Sequence, residues 1–159
     1  GLSTADETEI RRLKARIDNE RLPRGADPGT HTKLGRGGLT DIEWTVQLLQ
    51  LAHGATVPEL RTPRTLDALR AAAHEGLLSD EQAETLATAW RFATHVRNAL
   101  MLVRDKPEDQ VPHSGTPLVA LGRVLGYPPS FEPGQLVDDY RRTARRARKV
   151  VEEIFYAPR

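Results

Sequence analysis

Helix start and stop signals punctuate this chain almost throughout, and they limit what it can fold into more than any other feature. Ser79 is followed three residues later by Gln82, the pair that closes a capping box by exchanging side-chain and backbone hydrogen bonds. Beyond it Ala83, Leu86, Ala87, Trp90, Thr94 and Leu100 recur at helical spacing towards Arg104. A helix of about 25 residues would reach about 37 Å, long enough to be the spine of a bundle. Thr62-Pro63 and Thr116-Pro117 each set a capping residue before a proline, whose missing N–H is harmless at the first helical position. These pairs predict helices ending at Gly76 and Gly126. A further helix is predicted from Gly38 through Ile42, Val46, Leu49 and Ala52 to Gly54, and a last one over 135–156. Ahead of them Ser3 or Thr4 can cap a helix that shows Glu7, Ile10, Leu13 and Ile17 near one face and ends near Glu20.

Residues 21–37 carry Pro23, Gly25, Pro28, Gly29, Gly35 and Gly37, so they read as a loop, with Thr30 to Leu34 as a candidate short strand. No run of alternating apolar residues asks for a sheet. The expected fold is all-α: an antiparallel bundle of about five helices over 38–159, preceded by an N-terminal helix and Gly-rich loop over 1–37.

Length and composition exclude several function classes. A chain of 159 residues, 38% hydrophobic and 28% charged, fits one globular domain with or without part of a neighbour. The net charge of +1 argues against a dedicated nucleic-acid binder. With no cysteine, thiolate metal sites, disulfides and Cys nucleophiles are excluded. No apolar run approaches the roughly 20 residues of a membrane span, and the start lacks the basic and apolar regions of a secretory signal. A cytoplasmic location is therefore expected. The absence of an initiator Met suggests a piece of a longer protein, although Met removal would also explain it.

The usual catalytic constellations are missing. His31, His53, His74, His95 and His113 form no pair at helical metal-ligand spacing. There is no Gly-x-Ser-x-Gly turn, and Gly35-Arg36-Gly37-Gly38 lacks the Gly-Lys-Ser/Thr of a P-loop.

Two features remain. On a helical projection of residues 135–156, Leu136, Val137, Tyr140, Ala144, Ala147, Val150, Val151, Ile154 and Phe155 fall within an arc of about 140°. Arg141, Arg142, Arg145, Arg146, Arg148 and Lys149 occupy the other side with no acid among them. Like charges four apart repel. The stripe is either a solvated face neutralised by acids elsewhere or a docking surface for phosphate or an acidic partner.

The second feature is Lys33-Leu34-Gly35-Arg36-Gly37-Gly38-Leu39-Thr40-Asp41-Ile42-Glu43-Trp44. Its glycines let the backbone approach a neighbour and would leave amides free before a helix, which suits an anion. Lys33 and Arg36 add cations, while Asp41 and Glu43 fall in the first helical turn, where negative charge is favourable. An ordinary Gly-rich helix entry with acidic capping explains the same residues.

The segment resembles the Lys-x-Gly-x-Gly-Gly-x-x-Asp-Ile-Glu-Phe-x-Val-Gln signature of bacterial glutamine synthetase adenylyltransferases, with Trp44 in place of the commoner Phe and Thr40 where Arg is frequent. The likeness extends over nearly the whole chain, through Ile10 to Arg21, Trp90-Arg91-Phe92, Arg97 to Leu100, Val111-Pro112 and Leu118 to Tyr127. PII-type uridylyltransferases share a looser form of the motif and are the nearest alternative.

The resemblance implies a parent enzyme that uses ATP and Mg²⁺ to transfer AMP to a tyrosine of glutamine synthetase and removes it by phosphorolysis. It implies that residues 1–37 are the end of a nucleotidyltransferase domain and 38–159 a C-terminal helical domain. The Gly-Ser turn and Asp-x-Asp pair that such chemistry needs do not occur here, so this chain alone should be inactive and hold no metal. Lys33, Gly35, Arg36, Gly37, Gly38, Asp41 and Glu43 would support the nucleotide side of the cleft or the seam between domains. Arg141, Arg142, Arg145, Arg146 and Lys149 would serve a partner, either glutamine synthetase or a PII-type signal protein. A non-catalytic interaction module is the reading from a different class.

Overall fold

A computed structural model describes residues 2–157. Among them lie α1 (Thr4–Arg21), α2 (Leu39–His53), α3 (Thr65–His74), α4 (Asp80–Arg104), α5 (Gly115–Val124) and α6 (Pro133–Val151). A 3₁₀ turn spans Pro58–Leu60, and α6 widens into a π-type turn over Glu152–Tyr156. The chain is all-α, as its punctuation predicts.

The capping signals explain most boundaries. Ser79 Oγ accepts from the Gln82 amide at 3.1 Å while Gln82 Oε1 accepts from the Ser79 amide at 3.0 Å, so the predicted box opens α4. Ser3 and Asp6 make the equivalent box on α1. The two Thr-Pro pairs sit differently from expectation. Thr62 Oγ1 accepts from the Arg64 amide at 3.2 Å, which makes a local turn, and α3 starts only at Thr65. In α5 the helix begins at Gly115 after Ser114, so Thr116 and Pro117 already lie in the first turn, where an absent N–H still breaks no helical bond.

Helix α4 is the spine. Its first half, from Ala83 to Ala89, packs in one apolar cluster with α2, α3 and the end of α6 at Val150, Val151 and Phe155. Its second half, from Ala93 to Leu100, packs in another with α5 and the start of α6 at Leu136, Val137 and Tyr140. Trp90 borders both. The buried side of α6 is the predicted one, including Ala144 and Ala147.

Helix α1 departs from expectation. Its buried residues are Glu7 and Lys14, whereas Leu13 is exposed. Periodicity placed Glu7 and Ile10 on the inward side, Ile10 against the first apolar cluster, but it put Leu13 there in place of Lys14, whose ammonium meets the Asp41 and Asp18 carboxylates. The candidate strand over Thr30 to Leu34 is also absent: a single antiparallel bridge joins His31 to Gln110. That bridge ties the Gly-rich loop to the segment between α4 and α5.

A small residue is required where Phe131 folds over α5. A Cβ on Gly122 would lie 2.1 Å from Phe131 Cζ. Gly122→Ala should cost about 1–3 kcal/mol by overpacking, whereas Gly134→Ala, with open space around it, should stabilise by about 0.5 kcal/mol through the unfolded chain. Urea unfolding midpoints check both; equal midpoints for the two variants would refute the packing argument.

Candidate functional site

The Gly-rich loop is built by close backbone approach. A Cβ on Gly35 would lie 2.3 Å from the His31 carbonyl oxygen, and one on Gly38 2.7 Å from that of Thr32. Gly37 has φ +71°, and its Cβ would lie 1.9 Å from the Ala144 carbonyl oxygen of α6. Here only glycine lets the loop rest directly on the helix backbone.

The loop amides are not free for an anion. Gly35 N donates to His31 O at 2.9 Å, Arg36 N to Pro28 O at 2.8 Å, Gly38 N to Gly35 O at 3.0 Å, and Leu39 N to Thr32 O at 2.9 Å. Thr40 N donates to Lys33 O at 3.0 Å, and Gly37 N to Asp41 Oδ2 at 2.7 Å. The glycines thus serve the fold of the loop. Thr32 N and Val111 N extend it by donating to Asp109 O and Thr30 O.

Asp41 is the centre of the arrangement. It sits in the first turn of α2, 3% exposed. Besides Gly37, its Oδ2 accepts from Arg148 at 3.0 Å, and its Oδ1 accepts from Lys14 Nζ at 2.6 Å. Lys14 also donates to both oxygens of Asp18, at 2.6 and 2.7 Å. Arg148 continues to Glu152 at 2.8 Å and lies 5.0 Å from the Tyr156 ring centre. Burial alone would push the Lys14 ammonium pKa down, but the Asp41 and Asp18 carboxylates outweigh it and hold it above the ordinary value. Arg148 is likewise raised, Glu152 and Asp41 overcoming its burial. Both cations stay charged, so the carboxylates are already neutralised and do not fit Mg²⁺. Among the described residues no group of three or more His, Asp or Glu side chains could hold a metal ion.

The other sequence candidates divide. Lys33 and Arg36 are exposed, and Glu43 is half-buried on α2. On α6, Arg141 donates to Asp27 at 3.0 Å and Arg142 pairs with Asp139 at 3.4 Å. Hydrogen bonding from the Gly29 amide, opposed by burial and helped by Arg141 and Thr30, keeps the Asp27 pKa low. Arg146 faces the start of α4, beside Glu81 and Thr85. Lys149 lies between that face and an open cleft of about 550 Å³ between the Gly-rich loop and α6, which it lines together with Arg145 and Arg36. A neighbouring cleft of about 430 Å³ runs between α1 and the loop, with Asp18, Arg36, Asp41 and Tyr156 in its walls.

Two features far apart in sequence therefore meet in space. Sequence reasoning passed over Lys14, Asp18 and Tyr156. Lys14 and Asp18, four apart on α1, carry the signature of a routine exposed pair, and no local signal places Asp41 beside them.

The family model described as GlnD PII-uridylyltransferase matches residues 11–155. The chain belongs to that family. Within this GlnD-type family, the chain is 60% identical over 98% of its length to a Streptomyces avermitilis protein named bifunctional glutamine synthetase adenylyltransferase/adenylyl-removing enzyme. Proteins of the same name from Streptomyces coelicolor and Mycobacterium avium are 58% and 54% identical over 99% and 98% of it. The chain spans only 15–16% of the length of these relatives.

Two predictions follow from the geometry. Asp41→Ala leaves Lys14, Arg148 and the Gly37 amide without their shared acceptor and should cost about 3–5 kcal/mol in chemical denaturation. A loss within about 0.5 kcal/mol, as at an ordinary surface site, would show that the cluster does not hold the fold. His31 is buried and its Nδ1 accepts from the Leu34 amide at 3.0 Å. Burial, only partly countered by Asp109 and Glu108, holds its pKa below the ordinary value. Between the folded and unfolded values the unfolded chain binds more protons, so this stability is complete above about pH 6.5 and is lost as pH falls. His31→Asn, which keeps an acceptor but does not titrate, should flatten the decline in stability between about pH 7 and pH 5.

Proposed function

We propose that this chain is the helical domain of a bifunctional glutamine synthetase adenylyltransferase, adjoining one of its nucleotidyltransferase domains. The observation that carries this reading is 60% identity over 98% of the chain to a protein of that name. The parent uses ATP and Mg²⁺ to move AMP onto and off glutamine synthetase in the cytoplasm. The catalytic metal and its carboxylates belong to the adjoining domain, since the buried Asp41 carboxylate of this chain is spent on Lys14 and Arg148.

In this reading α1 and the loop to residue 37 are the end of the catalytic domain, and 38–159 is the bundle. Asp41 is a positioning residue: it clasps α1 through Lys14 and α6 through Arg148, and so fixes the seam between the two parts. The exposed Lys33 and Arg36 face the nucleotide side, and Glu43 supports the first turn behind them. The bundle surface receives glutamine synthetase or a PII-type protein.

A second reading, the equivalent domain of a PII-type uridylyltransferase, is favoured by the description of the matching family. Labelled ATP and UTP, offered with Mg²⁺, glutamine synthetase and a PII-type protein, separate the two. The longer polypeptide carrying this chain should transfer AMP to glutamine synthetase, and the isolated chain should transfer nothing. UMP transfer to the PII-type protein alone, or AMP transfer by the isolated chain, would overturn the proposal. In the longer enzyme Lys33→Gln should raise the KM for ATP severalfold, as expected for loss of a charge-assisted contact, without moving the unfolding midpoint.

A further inference from the structure

The cleft between the Gly-rich loop and α6 carries more positive charge than the fold uses. Arg36 enters it from the loop, and Arg141, Arg145, Arg148 and Lys149 enter it from α6. Its two acids are already committed, Asp27 to Arg141 at 3.0 Å and Glu152 to Arg148 at 2.8 Å. Arg36, Arg145 and Lys149 make no ion pair with any described residue.

The geometry points to a binding site for the phosphate groups of a small ligand in this cleft, with Arg36, Arg145 and Lys149 as its direct contacts. Four observations carry the assignment. The cations converge from two chain segments, and the loop that carries Arg36 is held against α6 by the contact of Gly37 with Ala144. The guanidinium of Arg36 is thus offered across a gap from those of α6 instead of being displayed on a flat face. Arginine forks match phosphate oxygens in pairs. The volume of about 550 Å³ falls in the range of small-ligand pockets, roughly 300–1,000 Å³.

Charge balance supplies the fourth. Arg141, Arg145 and Lys149 succeed one another at four-residue spacing on one face of α6, so each step is a repulsive pair. An anion seated between Arg145, Lys149 and Arg36 turns that repulsion into attraction. No aromatic side chain lines the cleft, so it lacks the stacking platform of a single-strand nucleic-acid site. A concave site of this size also suits a compact ligand better than the broad face of an acidic protein.

The site does not depend on the AMP-transfer reading, because it is measured on this chain without glutamine synthetase. Inorganic phosphate, tripolyphosphate and ATP are titrated calorimetrically at constant ionic strength. We expect one saturable site for which all three compete, with affinity rising with the number of phosphates. Similar affinity for tripolyphosphate and ATP supports a site that reads phosphate alone. Tighter binding of ATP, still sensitive to Arg145, supports a nucleotide as its source. Arg36→Gln, Arg145→Gln and Lys149→Gln should each weaken tripolyphosphate binding about tenfold. Arg142→Gln and Arg146→Gln, on the far side of the stripe, should change it less than about twofold. Circular dichroism confirms that each variant is folded. Lack of saturation, equal losses in all five variants, or displacement of tripolyphosphate by polyglutamate at matched charge would overturn the proposal.

Discussion

The Asp41 carboxylate accepts hydrogen bonds from Gly37, Lys14 and Arg148, and the Gly-rich loop, α1 and α6 meet at this shared acceptor. A carboxylate buried to this degree is tolerable only when its lone pairs are filled and its charge is opposed. Both conditions are met by partners from three separate segments: α1, the Gly-rich loop and α6. Helix α1 offers the bundle little apolar surface, since Glu7 and Lys14 are its buried residues. Its position therefore rests on Lys14 and on the bond from Arg11 Nε to the Phe155 carbonyl, with Ile10 adding a partly buried apolar contact.

The glycines act beside this carboxylate. Gly37 at φ +71° allows the loop backbone to lie against Ala144, and the same turn aims the Gly37 amide at Asp41. Close approach and hydrogen bonding are thus two results of one backbone conformation. They bring Arg36 to the edge of α6, where the basic stripe runs. The unbalanced stripe and the Gly-rich motif, separated by about a hundred residues, become the two walls of one cleft.

Much of the fold was legible because helix caps are local. Ser79 with Gln82 and the apolar face of α6 each act within a few residues, and the structure keeps them. The two Thr-Pro boundaries each shifted by two residues, that of α3 because Thr62 caps a turn ahead of the helix instead of the helix itself. The site was half legible. Its motif could be found, but loop amides that looked available are consumed by carbonyls of Pro28, His31, Thr32, Lys33 and Gly35. Composition and spacing do not reveal how a loop folds back on itself.

The sequence by itself determined that Lys33–Glu43 is a special entry to a helix, that α6 has one basic face, and that the chain resembles one enzyme family. These depend on residue type and short-range periodicity. Only the tertiary structure decided that Asp41 is a buried clasp, that α1 packs through a lysine, and that Arg36 meets Arg145 and Lys149. Those facts arise from pairings between residues 27 to more than 100 positions apart. Such pairings are set by how the helices pack around α4, and no local pattern encodes them.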